Sequence, residues 1–496
     1  MSRAAAGDES RIAAFVLTAT ILASSLAFMD GSVVTVALPA IRAGLGASFA
    51  QAQWTANAYT LTLGAFTLLG GAAGDVYGLR RVFMLGIALF GAASAACGLA
   101  WSPESLIAAR AIQGIGGALM VPGSLALISA HYPPASRGRA IGTWAAASSI
   151  APAIGPVVGG ALVDAGSWRA IFLINLPIAL AALWLCAKCV PADGARQAAP
   201  MDWLGSVLAV VGLGLVAYGL TRLGEPGVAD RNLPAGLVLG GIVVLGLFVL
   251  WQGRTPYPMM PLSLFRNRMF SGVNALTLLL YFALAGALFF LPTALIEAHG
   301  YPAALAGSVF LPFVIVMALL SRFGGGLADR IGTRPCLTFG PILTGIAFCL
   351  LAPAVAHGGY WTAIVPVMLL MGLGMGITVA PLSTAVMNAA PESRRGAASG
   401  INNAVARVAA LLAVACLGVA VGAGFAYVLA GDTSEAARAI AAAGFGGVFG
   451  TSDPLAAGLW QRATIAGFAV VTLVCGVLAI LSGVIGWLFT GGSAEA

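Results

Sequence analysis

Apolar residues fill long uninterrupted runs of the chain, and short breaks between them hold most of the charges. A bilayer core of roughly 30 Å is crossed by about 20 residues of helix at 1.5 Å each. Cut on that length, the pattern predicts helices near 12–38, 52–74, 82–100, 104–130, 140–163, 170–187, 203–221, 234–251, 270–295, 303–327, 336–356, 361–388, 397–423 and 463–489. Fourteen crossings would return the C-terminus to the side of the N-terminus. The longest break, about 424–462, contains the stretch Ala436–Ile440, which predicts a short helix on the membrane surface.

Composition agrees with the pattern. The 496 residues are 60% hydrophobic and 8% charged, whereas a soluble domain carries roughly 25% charged residues and needs them for its surface. The 66 glycines suit membrane helices, whose small side chains allow close approach. A net charge of +7 would suggest nucleic acid in a soluble protein, but here it comes from arginines in the short breaks, and no nucleic-acid partner is expected. Seven cysteines, an odd number lying in or beside apolar runs, predict no structural disulfide, and the Cys186-x-x-Cys189 spacing at a helix end reads as coincidence. Arg3 and Arg11 before the run 12–28 resemble a signal peptide loosely, yet the apolar stretch passes over Asp30 and continues to Leu38 without a cleavage signal, so it reads as a retained first span.

Charge asymmetry orients the helices. On these boundaries about 15 basic residues, including Arg80, Arg81, Arg137, Arg139, Arg330 and Arg334, fall on one side, against about six on the other, Arg42 and Arg169 among them. Both termini are therefore expected in the cytoplasm, in a cytoplasmic (inner) membrane. The chain also repeats itself. The segment from Gly71 through Asp75 and Gly78 to Arg80 and Arg81, after the second span, is echoed by Gly325, Asp329, Arg330, Gly332 and Arg334 after the tenth. A second pair, Pro133 to Gly138 and Pro391 to Gly396, stands at nearly the same offset. Both pairs are eight spans apart, so the halves face the same way. Two six-helix units need an offset of six, which leaves the spans near 203–251 as an insertion.

Polar residues inside spans are few and mark candidate chemistry. Asp30 is the carboxylate placed well inside a span, and Arg110 lies in the fourth span, each roughly 10–12 Å below the same surface at 1.5 Å per residue. Desolvation favours a protonated carboxyl and a nearby cation favours the ionised one. The pair therefore reads either as a proton carrier with its tuning cation or as a fixed salt bridge between two helices, and the carrier is the expectation. In the fifth span Gly155 and Gly159 give small-xxx-small spacing, Gly160 follows, and Pro152 and Pro156 each remove a helical hydrogen bond. A run of glycines at 372–376 lies within an apolar helix with no following Lys-Ser/Thr and is not a phosphate loop. Three scattered histidines form no metal cluster.

Taken together, these segments resemble the fourteen-span drug:proton antiporter branch of the major facilitator superfamily over nearly the whole length. The 71–81 loop is similar to the family motif after the second span, with Ala73 and Gly74 where bulkier residues are usual. The stretch from Leu106 through Arg110 to Gln113 and Gly114 is similar to the fourth-span motif. Residues 151–160 are similar to the fifth-span antiporter motif, with Ala151 in place of its first glycine, and Met29 to Pro39 to the first-span motif. Trp54, Tyr59, Asn175, Asn402, Asn403 and Arg407 fall where this branch shows similar residues.

The resemblance implies an all-α polytopic membrane protein of 14 transmembrane helices, two six-helix bundles plus two inserted helices. The expected division is an N-terminal bundle at 1–188, a linker with the two extra helices and a cytoplasmic loop at 189–268, and a C-terminal bundle at 269–496. The implied activity is export of amphipathic or aromatic small molecules against protons, with no enzyme chemistry and no cofactor beyond the proton gradient. Export of one dedicated metabolite is the alternative, and a non-transporting membrane sensor a more distant one. Asp30 and Arg110 would couple protons. Gln113, Trp54, Tyr59, Asn175, Asn402 and Asn403 would line the substrate cavity. The two repeated loops would gate as a charge latch, and Pro152, Gly155, Pro156, Gly159 and Gly160 would form the antiporter motif. The expected unit is a monomer, with a small-molecule substrate, protons and lipid as its partners.

Overall fold

Fold and site are described from a computed structural model of the full chain, for residues 3–191, 202–225, 231–391, 394–447 and 453–490. Within helices, the side chains of Asp75 and Asp329 and the surroundings of Gly325 lie outside the described residues.

The described residues form helices and no strand. In chain order these are α1 (Arg3–Leu45), α2 (Phe49–Tyr77), α3 (Leu79–Gly98), α4 (Pro103–His131), α5 (Pro134–Asp164), α6 (Ala170–Leu173), α7 (Asn175–Cys189), α8 (Trp203–Leu223), α9 (Asn232–Gln252), α10 (Arg268–His299), α11 (Ala303–Ser308), α12 (Phe310–Ile331), α13 (Thr333–His357), α14 (Val365–Asn388), α15 (Arg395–Leu429), α16 (Glu435–Ala443) and α17 (Pro454–Phe489). Several starts are set by local chemistry. Ser48 and Gln51 close a capping box on α2, Ser102 and Ser105 do the same on α4, and Asp202, Asn267, Ser434 and Asp453 cap α8, α10, α16 and α17. Each satisfies backbone N–H groups that the first turn leaves without a partner.

Among the described residues, twelve helical stretches are long and apolar enough to cross a membrane, with α6–α7 counted as one and α11 with α12 as another. The expected fourteen is therefore met in part. The other two long helices are α2, of 29 residues, and α5, of 31 residues, whose apolar portion is the shorter stretch Ile150–Asp164. The surface helix expected at 436–440 is α16, seated through Ala437 and Ile440. All seven cysteines are free.

The repeat seen in sequence recurs in packing. In the first half α1 lies on α5 and α7, α2 on α4, and α3 on α4 and α7. In the second half α10 lies on α15 and α17, α12 on α14, and α13 on α14 and α17. The hairpin α8–α9 stands outside both, with α8 laid across the seam where α2 meets α15. Close packing relies on backbone contact. A Cβ at Gly86 would meet the Gly116 carbonyl at 2.9 Å, and one at Gly345 would meet the Gly476 carbonyl at 2.7 Å. Glycine therefore permits the van der Waals contact that replaces a hydrophobic drive in lipid.

Candidate functional site

Polar side chains meet at one place inside the first half. Asp30 of α1 and Arg110 of α4 are both fully buried and form an ion pair through Oδ2 and Nη1. Arg110 Nη1 also donates to Gln113 Oε1 at 2.7 Å, and its Nε donates to the Thr55 carbonyl of α2 at 2.9 Å. Gln113 Nε2 and Asn175 Nδ2 each donate to Asp30 Oδ1 at 2.9 Å. Ser94 of α3 accepts from the same two amides, at 3.2 and 3.0 Å, and donates to the Phe172 carbonyl at 2.9 Å. The guanidinium lies over the Tyr59 ring at 4.3 Å, and the Tyr59 hydroxyl donates to the Ala27 carbonyl at 2.7 Å.

Taking two charges out of water is costly, and their attraction repays it only with good geometry and further hydrogen bonds. Here the carboxylate receives three side-chain donors drawn from two other helices. Two atoms remain unmatched: Arg110 Nη2 and Asn175 Oδ1 have no hydrogen-bond partner among the described residues. A buried network that is nearly but not wholly satisfied is sensitive to small shifts.

The pair is sealed from the neighbouring cavity by one turn of α1. A space of about 260 Å³ lies between the halves, lined by Gly31, Ser32 and Thr35 of α1, Asn57 and Thr60 of α2, Pro152 and Pro156 of α5, and Phe289, Phe310 and Phe313 across from them. Asp30 is not in its wall. The wall is apolar apart from a few hydroxyls and Asn57, whose Nδ2 lacks a partner among the described residues, and such walls suit drug-sized apolar ligands.

Beyond this cavity the halves close on each other. A Cβ at Gly155 would meet the Met29 carbonyl at 2.9 Å and one at Gly159 the Val33 carbonyl at 3.0 Å, so α5 rides on the backbone of α1. On its other side Gly160 faces the Ala303 backbone, and Gly307 faces the Pro156 carbonyl. Asp164 at the end of α5 then accepts from the amides of Ala303 and Ala304, at 3.0 and 2.8 Å, and so caps α11 of the opposite half.

The match with known proteins agrees with this architecture. The model of the Major Facilitator Superfamily covers residues 20–414. The chain belongs to that superfamily. It is 34% identical over 407 residues to the multidrug resistance protein Stp of Mycobacterium tuberculosis, covering 81% of this chain and 74% of Stp. It is 35% identical over 434 residues to the methylenomycin A resistance protein of Bacillus subtilis, covering 84% and 91% of the two chains. The puromycin resistance protein pur8 of Streptomyces alboniger is also 35% identical, over 430 residues covering 85% of this chain and 84% of that protein. Among solved structures, an inward-facing bacterial homologue of the lysosomal transporter Spinster superposes with a TM-score of 0.68 at 18% identity, covering 96% of this chain and 98% of that one. The Escherichia coli xylose transporter XylE, inward open, superposes at 0.61 and 14% identity, covering 97% and 98%.

Within this facilitator fold the remaining sequence candidates are dispersed. Gly78 and Gly332, at the two equivalent turns, have φ of 101° and 88°, a region that favours glycine. Arg80 donates to the carbonyls of Cys186 and Ala187, at 3.3 and 2.7 Å, at the C-terminus of α7. Its counterpart Arg334 donates to the Trp487 carbonyl at 2.9 Å and stacks on that indole at 3.8 Å, at the C-terminus of α17. Both arginines thus complement a helix C-terminus within their own half. Gly71 packs near Pro122, and Arg81 and Arg330 are exposed. Trp54 packs on Tyr218 of α8, ring centroids 5.7 Å apart, away from the central cavity. Asn402 donates to Asn274 and Thr277, while Asn403 is exposed and donates to its own helix. Sequence reasoning did not find Ser94, Asn57 or Thr55. A serine or threonine in an apolar run gives no periodic signal, and Thr55 contributes only its backbone.

Proposed function

We propose that this protein exports amphipathic or aromatic compounds in exchange for protons, by alternating access between its two halves. The observation that carries the reading is the Asp30–Arg110 pair, fully buried, held by Gln113 and Asn175 and separated from an apolar inter-half cavity only by α1. A carboxylate relieved of its cation in a dry site takes up a proton more readily, and one re-paired with it gives the proton up. Sliding of α1 against α4 as the halves rock would therefore couple protonation to cavity access. The contacts between α5 and α11 close one mouth, which fits a resting state open to the opposite side. The relatives named for multidrug resistance support the substrate class.

We further read α2 and α5 as crossing the membrane, for fourteen spans in all, since α2 packs on α4 and α5 on α1, helices that are apolar enough to cross. The basic loops support cytoplasmic termini in the cytoplasmic membrane, with the monomer as the working unit. The narrower alternative, one dedicated compound exported by the same mechanism, is favoured by relatives named for single antibiotics.

The test uses everted vesicles energised with a proton gradient, a pH-sensitive dye and a panel of lipophilic cations and neutral antibiotics. Dequenching on addition of a compound, lost in Asp30→Asn, is the expected result. Full retained exchange in Asp30→Asn would remove Asp30 from coupling, and silence across the panel would favour the dedicated exporter.

A further inference from the structure

A second and larger cavity, of about 480 Å³, lies where the α8–α9 hairpin meets the seam of α2, α10 and α15. Its walls are Leu61 and Ala65, Leu213, Leu245 and Phe248, with Met260 from the connection after α9. One charge stands among them. Arg407 of α15 lines the cavity, and no hydrogen bond or ion pair ties its guanidinium to any described residue. Its stem crosses α2 at Gly64, where an added Cβ would stand 3.3 Å from the arginine Cβ and 3.7 Å from Cδ. Glycine at that position opens the route by which the side chain passes.

The contrast with Arg110 is direct, since that arginine has its own carboxylate, two further acceptors and two rings. A guanidinium keeps its charge in any protein environment, and inside the hydrocarbon region such a charge faces a counter-charge or a cavity. Arg407 lies 12 positions after the first residue of α15, about 18 Å along the helix at 1.5 Å per residue, too deep to snorkel to the near interface. Among the described residues, no carboxylate lies in this wall. Nearby polar atoms belong to Thr60, Ser271 and Asn274, and the Asn274 carbonyl oxygen is engaged by Asn402 at 3.2 Å.

We propose that this cavity is a binding site for an anionic amphiphile, with the anionic head on Arg407 and the apolar body against α8 and α9. Its volume falls within the range of about 300–1,000 Å³ that holds a drug-sized molecule. Met259 and Met260 give one wall the adaptability of thioether side chains. The α8–α9 hairpin thereby supplies a site that two six-helix bundles alone would leave open to lipid. This site adjoins the cavity between the halves, with Thr60 in the wall of both, and does not depend on proton coupling.

The test uses the full chain in phosphatidylcholine nanodiscs and a dansyl-labelled undecanoic acid as the probe, with its methyl ester as the uncharged control. Saturable binding of the acid is expected, weakened about tenfold or more in Arg407→Gln and retained in Arg407→Lys, with the ester binding weakly and unchanged by either substitution. Leu213→Trp, which fills the space without altering charge, should abolish acid binding while the protein stays monodisperse. Asp30→Asn should leave the affinity within about twofold, since Asp30 lies in the wall of neither cavity. Equal affinity for acid and ester, or acid binding indifferent to both Arg407→Gln and Leu213→Trp, would overturn the proposal. Competition by added phosphatidylglycerol would identify a membrane lipid as the natural anion, and its absence a free anionic compound.

Discussion

Asn175 of α7 donates its side-chain amide to Asp30 of α1 at 2.9 Å, so the last spanning helix of the first half holds the same carboxylate that α4 neutralises. Three helices therefore share one anion, and removing any one partner leaves the others without compensation. Breaking one side of a buried pair costs about 3–5 kcal/mol, because a bare charge remains. Arg110→Met should destabilise the detergent-solubilised protein by that order, and the double variant Arg110→Met/Asp30→Asn should recover much of the loss. Thermal unfolding of these two variants and of Asp30→Asn alone checks the expected non-additivity, and simple addition of the two single effects would contradict it.

The contact of Gly307 with the Pro156 carbonyl leaves no room for a side chain. Gly307→Val should push α11 from α5 and open the mouth that is closed here. Cysteine pairs placed across that mouth should lose crosslinking, and transport should fall by about tenfold or more if the closed state is populated during the cycle.

Asp164 caps α11 from the opposite half through two amides. Loss of a capping side chain costs about 0.5–2 kcal/mol. Asp164→Ala should shift the same crosslinking equilibrium toward the open mouth by a factor of roughly 2–30, with little effect on probe binding near Arg407.

Phe445, in the segment after α16, packs edge-on against Phe49 of α2 and Phe290 of α10 at 6.0 Å each, and Arg42 of α1 donates to its carbonyl at 3.0 Å. One aromatic ring thus spans both halves at the mouth that α5 and α11 close. Removing a well-packed phenylalanine costs about 3–5 kcal/mol. Phe445→Ala should raise the accessibility of a reporter cysteine at Thr293 to a membrane-impermeant thiol reagent, and an unchanged labelling rate would show that the ring does not seal the mouth.

Asp202 caps α8 and accepts from the Gly205 amide at 2.9 Å, Trp251 Nε1 at 2.8 Å and Gln252 Nε2 at 2.6 Å. Burial alone would raise this carboxyl, but the hydrogen bonds outweigh it and hold the group below its ordinary value. A depressed folded-state value stabilises the hairpin above the unfolded value of about 3.9, and that contribution is lost as pH falls further. The melting temperature should therefore drop less between pH 6 and pH 3 in Asp202→Asn than in the native protein.

The run lengths, the paired loops and the charge asymmetry carried the architecture in one dimension. Each reflects a local property: a helix must span the hydrocarbon, a turn such as Gly78 or Gly332 must reach positive φ, and basic residues are expected in excess on one side. The pairing of Asp30 with Arg110 was legible because equal depths follow from counting residues along helices. What counting cannot supply is azimuth. Which face of α1 carries Asp30, that Ser94 and Asn175 meet there, and that Gly31 rather than Asp30 lines the cavity depend on how each helix is rotated against its neighbours. A helix apolar on all sides leaves no periodic mark of that rotation. The same holds for Trp54 and Arg407, whose surroundings exist only because α8 lies across the α2–α15 seam. That placement rests on Leu213 and Ala217 of α8 packing with Leu61 of α2 and with Leu411 and Ala415 of α15, residues distant in sequence, and packing of that kind is settled only in the folded bundle.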